Sequence, residues 1–236
     1  MSSAEIATLR ETVCRANRAL ADERLVVLTW GNVSGAVKDR SRIVIKPSGV
    51  PYRDLLPEHM VVVDRDGRVL EGALRPSTDT PTHLALYRAW PEVGGIAHAH
   101  SPYAVMFAQA AREIPCLGTT HADHFAGAVP LTGRLDPLEV EAGYEEATGA
   151  QIIRRFSKID RRDVPAVLVL GHAAFTWGGS PEAALNHAIA LEEVARMAHG
   201  TLALAPDAEP LSGFLLAKHH RRKHGSDAYY GQPDAR

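Results

Sequence analysis

Two imidazoles two residues apart, His98 and His100, close the apolar run Gly95-Ile96-Ala97. In a β-strand residues i and i+2 project to one face, so both rings reach a common point. Zinc accepts imidazole nitrogen at about 2.0–2.1 Å, which makes a divalent metal a natural occupant of that point. The next residues, Ser101-Pro102, read as an N-cap and a first helical position, so the pair falls where a strand stops and a helix begins. A His-x-His pair alone is not distinctive, since surface and core histidines are common. His172 adds to it by following the apolar run Ala166–Leu170, at the end of another expected strand. A third imidazole would complete a facial three-histidine site with an open position for substrate. The other reading is a histidine that ends a core strand and bonds a backbone carbonyl. The spacing leaves both open.

Three short polar turns carry a second kind of chemistry. Gly31-Asn32-Val33-Ser34, Lys46-Pro47-Ser48-Gly49 and Pro76-Ser77-Thr78-Asp79 each combine backbone N–H groups with hydroxyl, amide or ammonium donors. Converging, they would bind a phosphate. Apart, they are ordinary turns. Neither a Walker P-loop nor a GxGxxG is present. The segment Thr119-Thr120-His121-Ala122-Asp123-His124 is too polar for a core stretch, and Asp123 reads either as a general acid/base or as a helix cap. The basic run Lys218–His224 reads as the solvated face of a helix rather than a nucleic-acid site, because no aromatics interleave it and the net charge is −2. Tyr229-Tyr230 behind it suggests docking, on this subunit or on a neighbour.

The elements that must position these residues show in the periodicity. Ile6, Leu9, Val13, Ala16 and Leu20 share one face of a helix over roughly residues 4–21. Arg24–Trp30, Arg42–Lys46 and Met60–Asp64 read as strands, and Asp66-Gly67 as a hairpin turn. Helices are expected from Thr80 to Trp90, from Pro102 to about Arg112, over roughly 134–157, and from Pro181 to a stop at Gly200. Residues 201–210 read as a linker and roughly 211–224 as a last helix. Ala166–Leu170 is wholly apolar, as expected of a central strand covered on both faces. Strands alternating with helices, without a repeat or a domain boundary, predict one α/β/α domain over residues 1–236.

The 236 residues suffice for a sizeable core, and 45% hydrophobic with 23% charged side chains is the composition of a globular protein. The small net charge gives no pull toward nucleic acid or an acidic membrane surface. Cys14 and Cys116 stand far apart, so a disulfide scaffold is not expected and a reducing cytoplasm is. No apolar stretch reaches the length of a membrane span. The N-terminal segment carries Glu5, Arg10 and Glu11 and reads as an amphipathic helix rather than a signal peptide.

Taken together and in order, the motifs resemble the class II aldolase/adducin family over nearly the whole chain. They are Leu28-Thr29-Trp30-Gly31-Asn32-Val33-Ser34, Ile45-Lys46-Pro47-Ser48-Gly49-Val50, Asp79-Thr80-Pro81-Thr82-His83, His98-Ala99-His100-Ser101, Gly118-Thr119-Thr120-His121-Ala122-Asp123, and Arg222-Lys223-His224-Gly225 with Tyr229-Tyr230-Gly231-Gln232. The resemblance is to the family's 4-epimerase branch. It implies a single domain around a largely antiparallel or mixed sheet. It implies inversion at C4 of L-ribulose 5-phosphate to D-xylulose 5-phosphate by cleavage and re-formation of the C3–C4 bond. One zinc, or a similar divalent ion, is implied at His98, His100 and His172, with Asp79 as a further ligand or near neighbour. The substrate phosphate is implied at Gly31, Asn32, Lys46, Ser48, Gly49, Ser77 and Thr78.

The resemblance further implies a homotetramer with active sites between subunits, to which the tail 211–236 contributes. Asp123 and Tyr230 match the family's acid/base pair, the tyrosine coming from the adjacent subunit, and Thr119, Glu145 and His219 match supporting positions. Three departures stand out. His172-Ala173-Ala174 replaces the family's His-Gly-Pro, Ser77-Thr78 replaces Ser-Ser, and Leu170 stands where many relatives carry another histidine. Asp79 replaces the glutamate typical of the related aldolases, which favours the epimerase. The alternatives are a class II sugar-phosphate aldolase that releases its aldehyde, and a non-catalytic adducin-like interaction module.

Overall fold

The computed structural model describes residues 3–225, 228 and 229. Seven strands form one sheet: β1 Asn32–Ala36, β2 Ile43–Ile45, β3 Val61–Val63, β4 Val69–Glu71, β5 Gly95–Ala99, β6 Ala166–Leu168 and β7 Ala174–Gly178. Their order is β4-β3-β2-β1-β5-β7-β6, and every neighbouring pair is antiparallel. The helices are α1 Ser3–Asp22, α2 Thr80–Ala89, α3 Pro102–Gln109, α4 Thr119–Ala122, α5 Pro137–Arg155, α6 Pro181–Leu204 and α7 Gly213–His224.

Alternation along the strands feeds two cores. Ile43 and Ile45 of β2 and Val61 and Val63 of β3 enter one, with side chains of α2 and α3. Val44 and Val62 enter the other, with Val13, Ala16 and Leu20 of α1. Strands of three residues do not persist alone. Here every side chain of β2 and β3 is buried, and each such burial stabilises by about 1.5–3 kcal/mol. Helices therefore lie on both faces, giving the expected α/β architecture. Helix α6 serves both cores, giving Ala184, Leu185 and Ala188 to one and Leu191, Val194 and Ala195 to the other.

Several expected elements are corrected. Arg24–Trp30 is not a strand. Leu25 and Val26 are buried, but Val27, Leu28 and Trp30 are exposed, and Arg24 and Leu28 take positive φ (58° and 56°), which breaks extension. The strand β1 begins instead at Asn32, inside what reads as a polar turn. Its polar side chains are tolerated because each finds buried partners: Asn32 donates to Asp79 Oδ2, and Ser34 Oγ bonds His83 Nδ1 and the Tyr87 hydroxyl. Strand β6 lies at the sheet edge rather than its centre. A passing segment covers that edge, with Leu168 N donating to Pro130 O and Thr132 N to Leu168 O, both at 2.9 Å, which explains its wholly apolar sequence. Helix α6 runs through Gly200 to Leu204 and shortens the expected linker. The Asp66-Gly67 hairpin is present, joining β3 to β4 with Gly67 at φ 86°. Among the described residues no helix is long and apolar enough to cross a membrane.

Candidate functional site

Strand β5 delivers the first two imidazoles. Its neighbour β7 pairs Phe175 with His98, and the two rings stack at 4.2 Å between centroids. His172 arrives from the turn that joins β6 to β7, where Val169 N bonds Ala173 O, His172 N bonds Val169 O and Gly171 takes φ 70°. The three rings face one another at 4.8–5.0 Å between centroids. Their ligand nitrogens all lie within 4.8 Å of one another.

This donor set fits a divalent metal. His98 Nδ1 donates to Ala174 O at 2.9 Å, which commits that nitrogen and leaves Nε2 as the ring atom that would face a metal. That Nε2 stands 3.1 Å from His100 Nε2. Two nitrogens each bound to one tetrahedral ion would stand about 3.3 Å apart. His172 Nδ1 is buried without a hydrogen-bond partner among the described residues. Burial, reinforced by the neighbouring imidazoles, pushes His100 and His172 down to about 4, although Asp79 opposes it. Both rings are therefore neutral at pH 7, the state a metal ligand requires.

Asp79 sits beside the trio, its Oδ2 3.9 Å from His98 Nε2. It occupies the N-cap position of α2 but makes no side-chain capping bond. Its carboxylate instead accepts from Asn32 Nδ2 at 2.7 Å, and the same amide donates to Ser77 Oγ at 3.0 Å. Burial raises the Asp79 carboxyl, but His98, His83 and the Asn32 bond outweigh it and hold the group below its ordinary range.

The three polar turns converge on the same place. A backbone bridge between Pro47 and Pro76 ties two of them together, with Ser48 N donating to Arg75 O and Ser77 N to Lys46 O. The third abuts β5. Gly31 takes φ 84°, and a Cβ there would come within 2.6 Å of His98 O, so only glycine fits. Lys46 is buried at 2% exposure, and desolvation pushes its ammonium down to about 8 against the pull of Asp79.

One cavity of about 370 Å³ gathers Gly31, Asn32, Lys46, Ser48, Gly49, Ser77, Thr78, Asp79, His98, His100, Glu145 and His172. Metal-type ligands and anion-type donors thus line the same cavity. Sequence reasoning assigned no role to two lining aromatics, Trp30 and Tyr144. Tyr144 follows the kink at Gly143 that interrupts α5, and its ring stands 5.8 Å from His172. The period expected for an unbroken helix hid that kink. Trp30 stands 6.2 Å from His100.

Asp123, Thr119 and His219 do not line this cavity. Asp123 is instead gripped by α7. Arg222 donates from Nε to Oδ1 (3.0 Å) and from Nη2 to Oδ2 (2.6 Å), and His219 Nδ1 lies 3.1 Å from Oδ1. Partial burial raises the Asp123 carboxyl, but Arg222 and His219 outweigh it and keep the group ionised at neutral pH. Thr119 is exposed at the start of α4. Tyr230 lies outside the described residues.

Comparisons with known proteins assign the chain to a family. Two curated relatives, each named L-ribulose-5-phosphate 4-epimerase UlaF, come from Salmonella paratyphi A and Salmonella typhi. Each is 46% identical over 224 residues, covering 95% of this chain and 98% of the relative. Among solved structures, an L-fuculose 1-phosphate aldolase superposes with a TM-score of 0.77 at 20% identity, covering 94% of this chain and 97% of that one. The l-fuculose-1-phosphate aldolase from Thermus thermophilus gives 0.66 at 22% identity, over 86% and 98%. At such identity these two speak for the fold alone. The family profile described as Class II Aldolase and Adducin N-terminal domain matches residues 11–199. The chain belongs to the class II aldolase and adducin N-terminal domain family.

Proposed function

We propose that this chain is a metal-dependent L-ribulose-5-phosphate 4-epimerase that inverts C4 to give D-xylulose 5-phosphate. The observation that carries the reading is one cavity lined both by three imidazoles and by the polar turns. The 46% identity to relatives bearing that name supports it. Zinc suits three imidazole donors, and manganese or cobalt would suit them as well.

The C4 hydrogen of a ketopentose phosphate is not acidic, so direct deprotonation faces a high barrier. Cleavage of C3–C4 is easier, because the C2 carbonyl accepts the bond's electrons. A divalent ion held by His98, His100 and His172, with Asp79 at hand, supplies Lewis-acid stabilisation of negative charge on the sugar oxygens. The chain's own residues do the rest. A base takes the proton of the C4 hydroxyl as C3–C4 breaks and the C4 oxygen becomes an aldehyde. The aldehyde turns over, C3 attacks its other face, and the C4 oxygen regains a proton. Two faces call for two groups, and Asp123 and Tyr230 fill these roles in this reading. Arg222 and His219 hold Asp123 as a carboxylate, the form a base needs. Gly31, Asn32, Lys46, Ser48, Gly49, Ser77 and Thr78 grip the phosphate, so the fragment stays while its aldehyde rotates. Thr119, Glu145 and His219 support the reacting groups.

Asp123 and His219 lie outside the cavity of their own chain, which supports a homotetramer whose sites form between subunits. Phe214, 81% exposed on α7, supplies apolar surface for such contacts. The cytoplasm is the proposed compartment. Product analysis with L-ribulose 5-phosphate and metal-loaded protein tests the assignment. D-xylulose 5-phosphate is expected. Accumulation of free glycolaldehyde phosphate would instead identify an aldolase.

A further inference from the structure

Tyr52 joins parts of the site that the sequence keeps apart. It begins the short 3-10 turn Tyr52–Asp54, six residues after Lys46, and is buried at 6% exposure. Its hydroxyl lies 2.7 Å from both Trp30 O and Gly31 O. A phenol has one proton to donate, so the two carbonyls share it and are held side by side. Those carbonyls belong to the turn where Gly31 takes φ 84° and Asn32 departs toward Asp79 and Ser77. The face of the same ring lies 4.8 Å from Lys46 Nζ, within reach of a cation–π attraction. Lys46 Nζ otherwise contacts Pro47 O at 3.3 Å. One side chain therefore touches the glycine turn through its hydroxyl and the ammonium through its ring.

We propose that Tyr52 is a positioning residue for the anion-binding half of the site, holding Lys46 and the Gly31-Asn32 turn in register with the metal ligands. The inference rests on reading those turns as the seat of the substrate phosphate. The physical reason is preorganisation. A buried ammonium on a four-carbon stem has several rotamers, and a turn at positive φ has alternatives, so each would lose freedom on binding substrate. The ring limits the first and the hydroxyl limits the second. Because Gly31 lies so close to His98 O that a Cβ there would clash, fixing the turn also fixes its placement against the strand that carries His98.

The test compares Tyr52→Phe and Tyr52→Leu with the parent. Readouts are KM, kcat, competitive inhibition by inorganic phosphate, bound zinc and thermal melting. Tyr52→Phe keeps the ring and loses the hydroxyl bond, so KM and the phosphate inhibition constant should each rise about fivefold. Bound zinc should stay stoichiometric. Tyr52→Leu removes the ring as well and should weaken phosphate further. Wild-type KM and phosphate inhibition in Tyr52→Phe would overturn the inference. Loss of zinc and of the melting transition in both variants would assign Tyr52 to the fold alone and also overturn it. Lys46→Met run in parallel separates the two levels. Weakened phosphate there with an unaffected Tyr52→Phe defeats only the role of Tyr52. Unchanged phosphate binding in Lys46→Met defeats the phosphate reading and this inference with it.

Discussion

Asn32 and His98 stand directly opposite each other on the antiparallel strands β1 and β5. Side chains at opposed positions share a face of the sheet. The register therefore places the amide that holds Asp79 beside the imidazole that heads the metal-type trio. Asn32 Nδ2 reaches Asp79 Oδ2 at 2.7 Å, and that oxygen lies 3.9 Å from His98 Nε2. A shift of one residue in this pairing would turn Asn32 to the other face. The pairing of two strands thus links the anion turns to the three-histidine trio.

Replacing His98 by Asn should abolish both zinc binding and turnover. Asn32→Ala removes the amide that orients Asp79 together with its contact to Ser77 in the phosphate turns, and outer partners of a metal site are worth about 10–100-fold in activity or metal affinity. Zinc titration alongside kinetics checks this. A fully active Asn32→Ala enzyme would remove Asp79 orientation from the account.

Lys46 should impose a pH limit on substrate capture. Burial lowers its pKa to about 8, so the charged form is present below that value and disappears as pH rises through it. The kcat/KM profile reports the free enzyme, and it should fall on the alkaline side of about 8. In Lys46→Arg the guanidinium stays charged, so this limb should move out of range. An identical alkaline limb in both proteins would assign it to another group.

Glu192 holds the far side of the His98-x-His100 exit. Ser101 occupies the N-cap position of α3 but forms no side-chain cap bond. The buried Glu192 of α6 instead accepts from Tyr103 N (2.9 Å) and Ala104 N (3.0 Å). Glu192→Ala leaves both donors bare and should cost about 1–3 kcal/mol. Because α3 starts two residues after His100, zinc affinity should fall as well. Melting curves and zinc titration measure the two effects. Glu192→Gln retains one acceptor oxygen and should be milder.

If Asp123 acts on a neighbour's cavity, two dead proteins should rescue each other. His98→Asn and Asp123→Asn are each expected to be inactive. Co-folded in equal amounts, random assembly gives about a quarter of sites an intact trio facing an intact Asp123. Recovery near that fraction is the expected result. No recovery in verified mixed oligomers would place both residues in one chain's site.

Much of this was legible in the sequence, for identifiable reasons. The His98-x-His100 pair follows from the period of a strand, and the Pro47–Pro76 bridge brings together two turns whose polar composition already stood out. Arg24–Trp30 misled because an apolar, β-branched run looks like a strand whether or not it is buried. Asn32 and Ser34 were hidden in β1 for the converse reason, since their polarity is offset by Asp79, His83 and Tyr87. Tyr52, Tyr144 and Glu192 act through contacts distant in sequence, which periodicity does not encode. The position of Asp123 beside Arg222 and His219, away from the trio, is likewise a tertiary fact.

Turnover of L-ribulose 5-phosphate by the zinc-loaded enzyme in D2O tests the central claim most directly. Cleavage and re-formation of C3–C4 leave the C4 hydrogen on its carbon throughout. The account predicts D-xylulose 5-phosphate with no deuterium at C4, read by proton NMR. Deuterium at C4 would mean inversion by deprotonation, and failure to form D-xylulose 5-phosphate would contradict the assignment itself.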